Sequence, residues 1–242
     1  MRKVHADLVQ RGFMKRLSDL PNDQQALING APFNHFYPWS TVFKEDSLST
    51  PVRMVVNPTM TGLNLILAKG ENRIGHMNNI LIRNRFCEFA WASDISKLYN
   101  QLHLQVGALP FSLFLYHDSL DISVQPEIWV MVVAWYGVVP TGAQAGYAID
   151  LLVQANSVTF PEAVLPLTKC RYVDDIASGG SSDKERSVQI DQVRAVLSLG
   201  GFNLKFVVKS GESPSEKASS DGTSLKLLGY KWLPEKDLLS PG

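Results

Sequence analysis

The segment RYVDDIA, residues 171–177, places two adjacent acidic residues inside an otherwise apolar stretch that is typical of two short strands. A tight hairpin prefers Asn-Gly or Asp-Gly at its tip, so Val173 followed by Asp174 is poor turn chemistry. Residues that break a local rule without local gain are most often found at functional sites. The carboxylates of Asp174 and Asp175 also carry a desolvation cost unless a positive charge compensates it. The segment therefore indicates a site for a divalent cation.

A third acidic residue, Asp94, ends an earlier aromatic-rich strand predicted at 87–93. Mg²⁺ prefers oxygen ligands, and three carboxylates with a triphosphate suffice for the two ions of an in-line phosphoryl transfer. Because successive strand residues point to opposite faces, Asp174 is the expected principal ligand and Asp175 the weaker one. The same spacing is equally typical of a solvated acidic turn, with Asp94 as a helix N-cap.

The remaining pattern predicts an α+β fold, because strands and helices alternate without a regular βαβα period. An irregular arm is expected at 31–51, and Asp183 is the expected N-cap of the last helix. Helices are predicted at 3–20, 70–86, 96–102, 142–156 and 183–199. Strands are predicted at 52–56, 87–93, 111–116, 128–135, 204–208 and 225–232, with two short ones inside 169–177.

Composition excludes several classes of protein. The 242 residues include 23 basic and 23 acidic side chains, a balance that argues against a strongly basic nucleic-acid coat protein. Two cysteines cannot form a disulfide framework or a cysteine-rich zinc site. The longest apolar run, residues 128–139, is too short to span a membrane, so we expect no membrane partner and a cytoplasmic location.

The box at 172–175 resembles the catalytic box of reverse transcriptases. Further segments follow the motif order of that family and are most similar in detail to the Pao/BEL class of LTR retrotransposons. The segments that carry this resemblance are 38–58, 93–104, 136–137, 171–180, 201–205 and 227–232. Any one box is a weak signal, whereas six in order over residues 30–240 form a specific pattern.

The resemblance implies a right-hand polymerase with fingers and palm, and with the thumb absent or truncated. Residues 1–85 would form the fingers-like region, and 86–242 the palm, with a fingers insertion near 117–150 and a primer-grip-like hairpin at the end. The implied activity is RNA-directed DNA synthesis from deoxynucleoside triphosphates. The implied partners are an RNA or DNA template with its primer, together with the other polyprotein domains of a full-length element.

The resemblance also assigns roles to individual residues. Asp94, Asp174 and Asp175 match the carboxylates that hold two Mg²⁺ ions, for which Mn²⁺ is a substitute. Arg53 and Lys44 match the residues that bind the triphosphate. Tyr99 matches the residue that excludes a ribose 2′-hydroxyl. Tyr136 and Gly137 match the position beside the template base and the incoming nucleotide. Lys205 or Lys209 is the candidate general acid for pyrophosphate departure. The primer-grip-like residues are Leu228, Gly229, Tyr230 and Trp232.

The sequence also departs from the family pattern. Thr141 and Gly142 stand where Ser-Pro is usual, Asn57 where an acid is common, and Phe206 where a lysine is expected. These changes keep a second hypothesis open, a catalytically decayed remnant that acts as a nucleic-acid-binding or protein-interaction module. A third hypothesis is an RNA-dependent RNA polymerase, against which Tyr99 argues.

Overall fold

The computed structural model describes residues 2–43, 52–117, 123–215, 218–219 and 221–241. Within them the helices are α1 (Arg2–Gln10), α2 (Asn22–Gly30), α3 (Leu63–Ile66), α4 (Met77–Arg85), α5 (Thr141–Asn156), α6 (Val164–Lys169) and α7 (Asp183–Leu199). The strands are β1 (Met14–Arg16), β2 (Trp39–Phe43), β3 (Val52–Val56), β4 (Phe89–Asp94), β5 (Leu113–Tyr116), β6 (Glu127–Met131), β7 (Arg171–Tyr172), β8 (Asp175–Gly180), β9 (Val208–Lys209), β10 (Leu225–Leu227), β11 (Tyr230–Leu233) and β12 (Leu238–Pro241).

The fold is mixed helix and strand, compatible with the predicted α+β class. Several predicted elements were wrong in extent. The helix expected at 3–20 ends at Gln10, because Gly12 turns the chain with a positive φ of 73° and β1 follows. The predicted irregular arm contains β2, and the strand expected at 204–208 is ordered as a strand only from Val208. The N-cap of α7 is Ser182, whose hydroxyl accepts from the Glu185 amide, and not Asp183.

The chain divides into two compact units. The first comprises Met1–Lys69 and Tyr99–Thr141, and the second Gly70–Leu98 and Gly142–Gly242. The division predicted at residue 86 concerns polymerase subdomains and stays a prediction.

The first unit is built around the antiparallel sheet β1-β6-β5 and the hairpin β2–β3. Both faces of β5 and β6 contribute buried side chains, because alternate residues join one core cluster and Leu113 and Val130 join a second one. Phe114 and Met131 are fully buried in the first cluster, and Tyr116 and Trp129 close that cluster with an edge-to-face contact.

The second unit contains an antiparallel sheet of order β7-β8-β4-β9. Helices α4, α6 and α7 pack on this sheet, and β4 is buried along most of its length. A second sheet, β10-β11-β12, contributes the fully buried Trp232 to a core shared with Ile80 of α4 and Ala177 of β8. The β4–β8 pair is therefore held rigidly from both faces.

None of the helices in the described ranges combines the length and the apolar character that a membrane span requires.

Candidate active site

The ends of β4 and β8 bring the predicted carboxylates together in the second unit. In the antiparallel register Asp94 lies opposite Asp175, and the Ile95 amide donates to the Asp174 carbonyl oxygen at 2.8 Å. Asp174 itself occupies the turn between β7 and β8. Three acidic residues from distant parts of the sequence thus meet at one end of the sheet.

The turn that carries Asp174 has an unusual backbone. Tyr172 pairs with Asp175, so Val173 and Asp174 form a two-residue connection, in which only Val173 has a positive φ, of 55°. A positive φ at the first turn position normally calls for glycine, and it is a genuine outlier for a β-branched residue. Strain of this kind costs about 1–3 kcal/mol and persists only when its surroundings hold it in place.

Burial and neighbouring negative charge both act on Asp175 within the acidic cluster. Burial, with the nearby charges of Asp174 and Asp94 adding to it, raises the pKa of Asp175 to about 7, against the opposing effect of Lys205. The Lys205 ammonium forms an ion pair with Asp94, with Nζ 2.5 Å from Oδ2. The Lys205 amide also donates to the Asp94 carbonyl oxygen at 2.9 Å. Lys205 therefore holds the end of β4 through both its side chain and its backbone, beside Asp175.

A cavity of about 160 Å³ opens beside these groups. Its polar lining residues are Ser93, Asp94, Asp175 and Lys226, and its apolar lining includes Phe206, Leu225 and Leu227. The carboxyl groups therefore face a partly desolvated space, in which electrostatic interactions are stronger than in water.

The donor set suits a hard divalent cation, because it consists of carboxylate and carbonyl oxygens. In the part of the chain that the structure describes, no group of three or more His, Cys, Asp or Glu side chains is already arranged to hold a metal ion. Binding would accordingly require side-chain rotation, and Asp94 would exchange the Lys205 ammonium for the cation. The raised pKa of Asp175, which burial and the neighbouring carboxyl groups cause, fits such an exchange.

The two candidate general acids occupy different places. Lys205 lies directly against Asp94. Lys209 lies on β9 opposite Trp91, three residues or about 10 Å along the strand from Asp94, and forms an ion pair with Glu212 at 3.6 Å. The geometry favours Lys205 for any proton transfer at the carboxylate cluster.

The primer-grip-like residues form the tip and second strand of the β10–β11 hairpin. Leu227 pairs with Tyr230, and both turn residues have positive φ, 49° at Leu228 and 84° at Gly229. This is the type I′ pattern, in which a leucine at the first position is unusual. Leu228 is nevertheless buried, in the same core as Trp232, so its packing stabilises the turn.

The predicted nucleotide-binding residues belong to the first unit. The rings of Tyr99 and Tyr136 meet edge to face with centroids 4.6 Å apart, and Gly137 has a positive φ of 95°. Arg53 is exposed on β3, where it pairs in register with Val42. Lys44 lies outside the described residues.

Sequence reasoning missed two residues behind the acidic turn. The Arg171 side chain is 5% exposed and donates to the Val173 carbonyl oxygen at 3.0 Å, and Asp150 of α5 lies 3.6 Å from its guanidinium. Asp150 is the lone charged residue of α5, and a lone acid in an otherwise uncharged helix is a signal for a buried or half-buried cation partner.

A scan against protein-family models finds no match, and a search of curated proteins finds none either.

Proposed function

We propose that this chain is an RNA-directed DNA polymerase (reverse transcriptase) domain of a Pao/BEL-like LTR retroelement, with a fingers and palm architecture. The observation that carries the proposal is the meeting of Asp94, Asp174 and Asp175 at one end of the β4–β8 pair. The strained turn and the raised pKa of Asp175 at that place support it, because both are costly features that functional sites retain. A cytoplasmic location is part of the proposal.

In this proposal the primer 3′-hydroxyl oxygen forms a bond to the α-phosphorus of a deoxynucleoside triphosphate, and the bond to pyrophosphate breaks. Asp94, Asp174 and Asp175 would hold two Mg²⁺ ions or their Mn²⁺ substitutes. When bound, the ions lower the pKa of the attacking hydroxyl and neutralise the leaving pyrophosphate. Lys205 is the proton donor to the pyrophosphate, since its ammonium lies beside Asp94.

Other residues would recognise the substrates. Arg53, with Lys44, would contact the triphosphate, which an arginine fork suits well. Tyr99 would exclude a ribose 2′-hydroxyl, while Tyr136 and Gly137 would flank the nascent base pair. The β10–β11 hairpin would support the primer end, next to the cavity that Asp94 and Asp175 line.

Primer extension on an RNA template tests the activity. The assay supplies deoxynucleoside triphosphates with Mg²⁺ or Mn²⁺ and compares the wild type with Asp174→Asn. The matched control is Asp191→Asn, which changes an exposed acid of α7. We expect the wild type and the control to extend the primer and Asp174→Asn to lose this activity. Extension that survives Asp174→Asn would contradict the assignment of the site.

The gate assignment has its own test. Tyr99→Ala is expected to raise ribonucleotide incorporation relative to deoxynucleotide incorporation, and an unchanged ratio removes Tyr99 from that role. The same ratio in the wild type distinguishes the proposal from an RNA-dependent RNA polymerase.

A second candidate function is a non-catalytic nucleic-acid-binding or protein-interaction module that keeps the fold. The Asp94–Lys205 ion pair favours it, because an ammonium already partners one of the proposed metal ligands. In this case RNA binding, measured by fluorescence anisotropy, is the same in Asp174→Asn as in the wild type. The Mn²⁺ affinity of Lys205→Met helps to separate the two functions: a rise supports the catalytic one, because the ammonium no longer competes for Asp94 or repels the ion, and an unchanged affinity favours the second candidate.

A further inference from the structure

A small charged network lies directly behind the acidic turn, within the second unit. Asp150 of α5 accepts a hydrogen bond from Arg73 Nη1 at 2.7 Å and forms an ion pair with Arg171 Nη2 at 3.6 Å. Arg171 is the most buried of the three, with a side chain only 5% exposed. A guanidinium so far from water requires an anion and hydrogen-bond acceptors around it.

Arg171 finds those acceptors on two backbone segments, the last turn of α6 and the turn that carries Asp174. Its Nε donates to the carbonyl oxygen of Leu167 in the last turn of α6, at 3.1 Å. Its Nη1 donates to the carbonyl oxygen of Val173 at 3.0 Å. A single planar group therefore fixes the end of α6 and the strained residue of the turn together, in the fork geometry that only arginine offers.

Arg73 secures Asp150 from the other side. Its guanidinium lies 5.0 Å from the ring centre of Tyr147, also on α5. The helix allows this approach at Gly146, where an added Cβ would be 2.9 Å from the Arg73 Cβ. The same segment touches the turn strand directly, since a Cβ at Gly75 would be 2.9 Å from the Arg171 carbonyl oxygen. Residues 73–75 thus contact both α5 and Arg171 at the start of the β7–β8 hairpin.

The network acts on one side of the turn and β4 on the other. The Val173 carbonyl oxygen is held by Arg171, and the next carbonyl oxygen, that of Asp174, accepts from the Ile95 amide. Between these two anchors the chain must keep the left-handed conformation of Val173. If the Arg171 anchor is removed, the turn can relax, and the Asp174 side chain changes its position relative to Asp94.

We propose that Arg171 and Asp150 are positioning residues that hold the Val173–Asp174 turn in its strained conformation, in which the Asp174 carbonyl oxygen accepts from the Ile95 amide next to Asp94. The proposal rests on the proposed function for its consequence in catalysis, but the bracing itself is a property of the folded chain. Neither residue touches the substrate; both act through the backbone of the turn.

The test uses the full chain with Arg171→Met and Asp150→Asn. Asp183→Asn is the matched control, because Asp183 also partners a buried arginine, Arg186, on α7 of the same unit. Amide hydrogen exchange of Ile95, followed by NMR, reports the bond to the Asp174 carbonyl oxygen. We expect exchange to accelerate about tenfold in Arg171→Met and Asp150→Asn, and to stay within twofold of the wild type in Asp183→Asn.

A second change provides a rescue. Adding Val173→Gly to Asp150→Asn removes the strain that needs a brace, so the Ile95 exchange rate is expected to return toward the wild-type value. Primer extension by Asp150→Asn should lose at least about tenfold in kcat, with KM for the nucleotide changed less than about twofold. Asp183→Asn should keep both constants.

The outcomes separate this proposal from the proposed function. Unaltered Ile95 exchange in Asp150→Asn and Arg171→Met overturns the bracing, whether or not the protein extends primers. Equal acceleration in Asp183→Asn also overturns it, because the effect is then general loosening. If exchange follows the expected pattern while neither the wild type nor any variant extends primers, the brace stands and the polymerase function fails.

Discussion

The burial of Asp175 among other carboxyl groups predicts a protein that becomes less stable as pH rises from about 5 to 8. In the folded chain the pKa of Asp175 is raised to about 7, while the unfolded chain has the ordinary value of 3.8. Between these values the folded state binds more protons than the unfolded state, so the free energy of unfolding falls with increasing pH. Replacing Asp175 by asparagine removes the titrating group and this dependence.

The magnitude follows from the two pKa values. Their difference corresponds to about 4 kcal/mol once both states are ionised, at about 1.4 kcal/mol for each pH unit. About 2.6 kcal/mol of this develops between pH 5 and pH 8, because part of the proton release from the unfolded chain precedes pH 5. Because the Asp175 side chain keeps some contact with solvent, about 2 kcal/mol is the expected measured value.

The assay is urea unfolding followed by circular dichroism at several pH values, without divalent metal. The quantity to compare is the difference in unfolding free energy between Asp175→Asn and the wild type at each pH. Groups that do not interact with Asp175 cancel in that difference, including His35, whose pKa burial lowers. Asp191→Asn, on the exposed side of α7, serves as the control with a difference that does not change with pH.

Asp175→Asn should therefore gain on the wild type as pH rises, and the gain should be complete near pH 8. Parallel pH curves for the two proteins would refute the reasoning, because they would mean that the Asp175 carboxyl group is not desolvated in the folded chain. A wild type that gains stability relative to the variant as pH rises would show that a cation already balances the cluster.

Three further substitutions test the local structure, each by urea unfolding. Val173→Gly should raise the unfolding free energy by about 1 kcal/mol because it relieves the positive φ, and a loss would show that the turn is not strained. Ser182→Ala should lower the unfolding free energy by about 1 kcal/mol because α7 loses its N-cap. An equal decrease in the control Ser187→Ala would show that the Ser182 cap does not stabilise the helix. Trp232→Ala should cost about 3–5 kcal/mol because its side chain is fully buried, and less than 1 kcal/mol would place it outside the core.

The sequence alone was sufficient to predict those elements whose signals are local. The helix predicted at 183–199 is confirmed as α7, since its apolar spacing and the glycines that follow it are local features. The paired strands around the acidic residues are confirmed as β7 and β8, and the poor turn chemistry of Val173 appears as its positive φ. The assignment of these residues to a polymerase stays a prediction.

The sequence failed where distant contacts decide. β2 exists because it pairs with β3 along its whole length, and nothing in the local pattern of 39–43 reports that partner. The spacing of Val9, Phe13 and Leu17 continues a helical period past the end of α1. The periodicity therefore predicted one long helix and concealed the break that the structure has at Gly12. The Asp150–Arg171 pair joins residues that are far apart in sequence, and their separation hid it.

Backbone strain and a desolvated carboxyl group at one place bear on the choice between a polymerase and a remnant. Val173 in a left-handed turn and the desolvated Asp175 both reduce stability, and a single substitution is expected to relieve either one. In a chain without a function at this site, substitutions that relieve such costs are free to accumulate, whereas a site in use trades stability for activity. Both features occur here, two residues apart in the β7–β8 hairpin, beside Asp94. If Val173→Gly and Asp175→Asn each stabilise the protein while Asp175→Asn abolishes Mn²⁺ binding, the site gives up stability for ion binding, and the polymerase is favoured. If both variants are stabilised without any change in Mn²⁺ binding, the remnant is favoured.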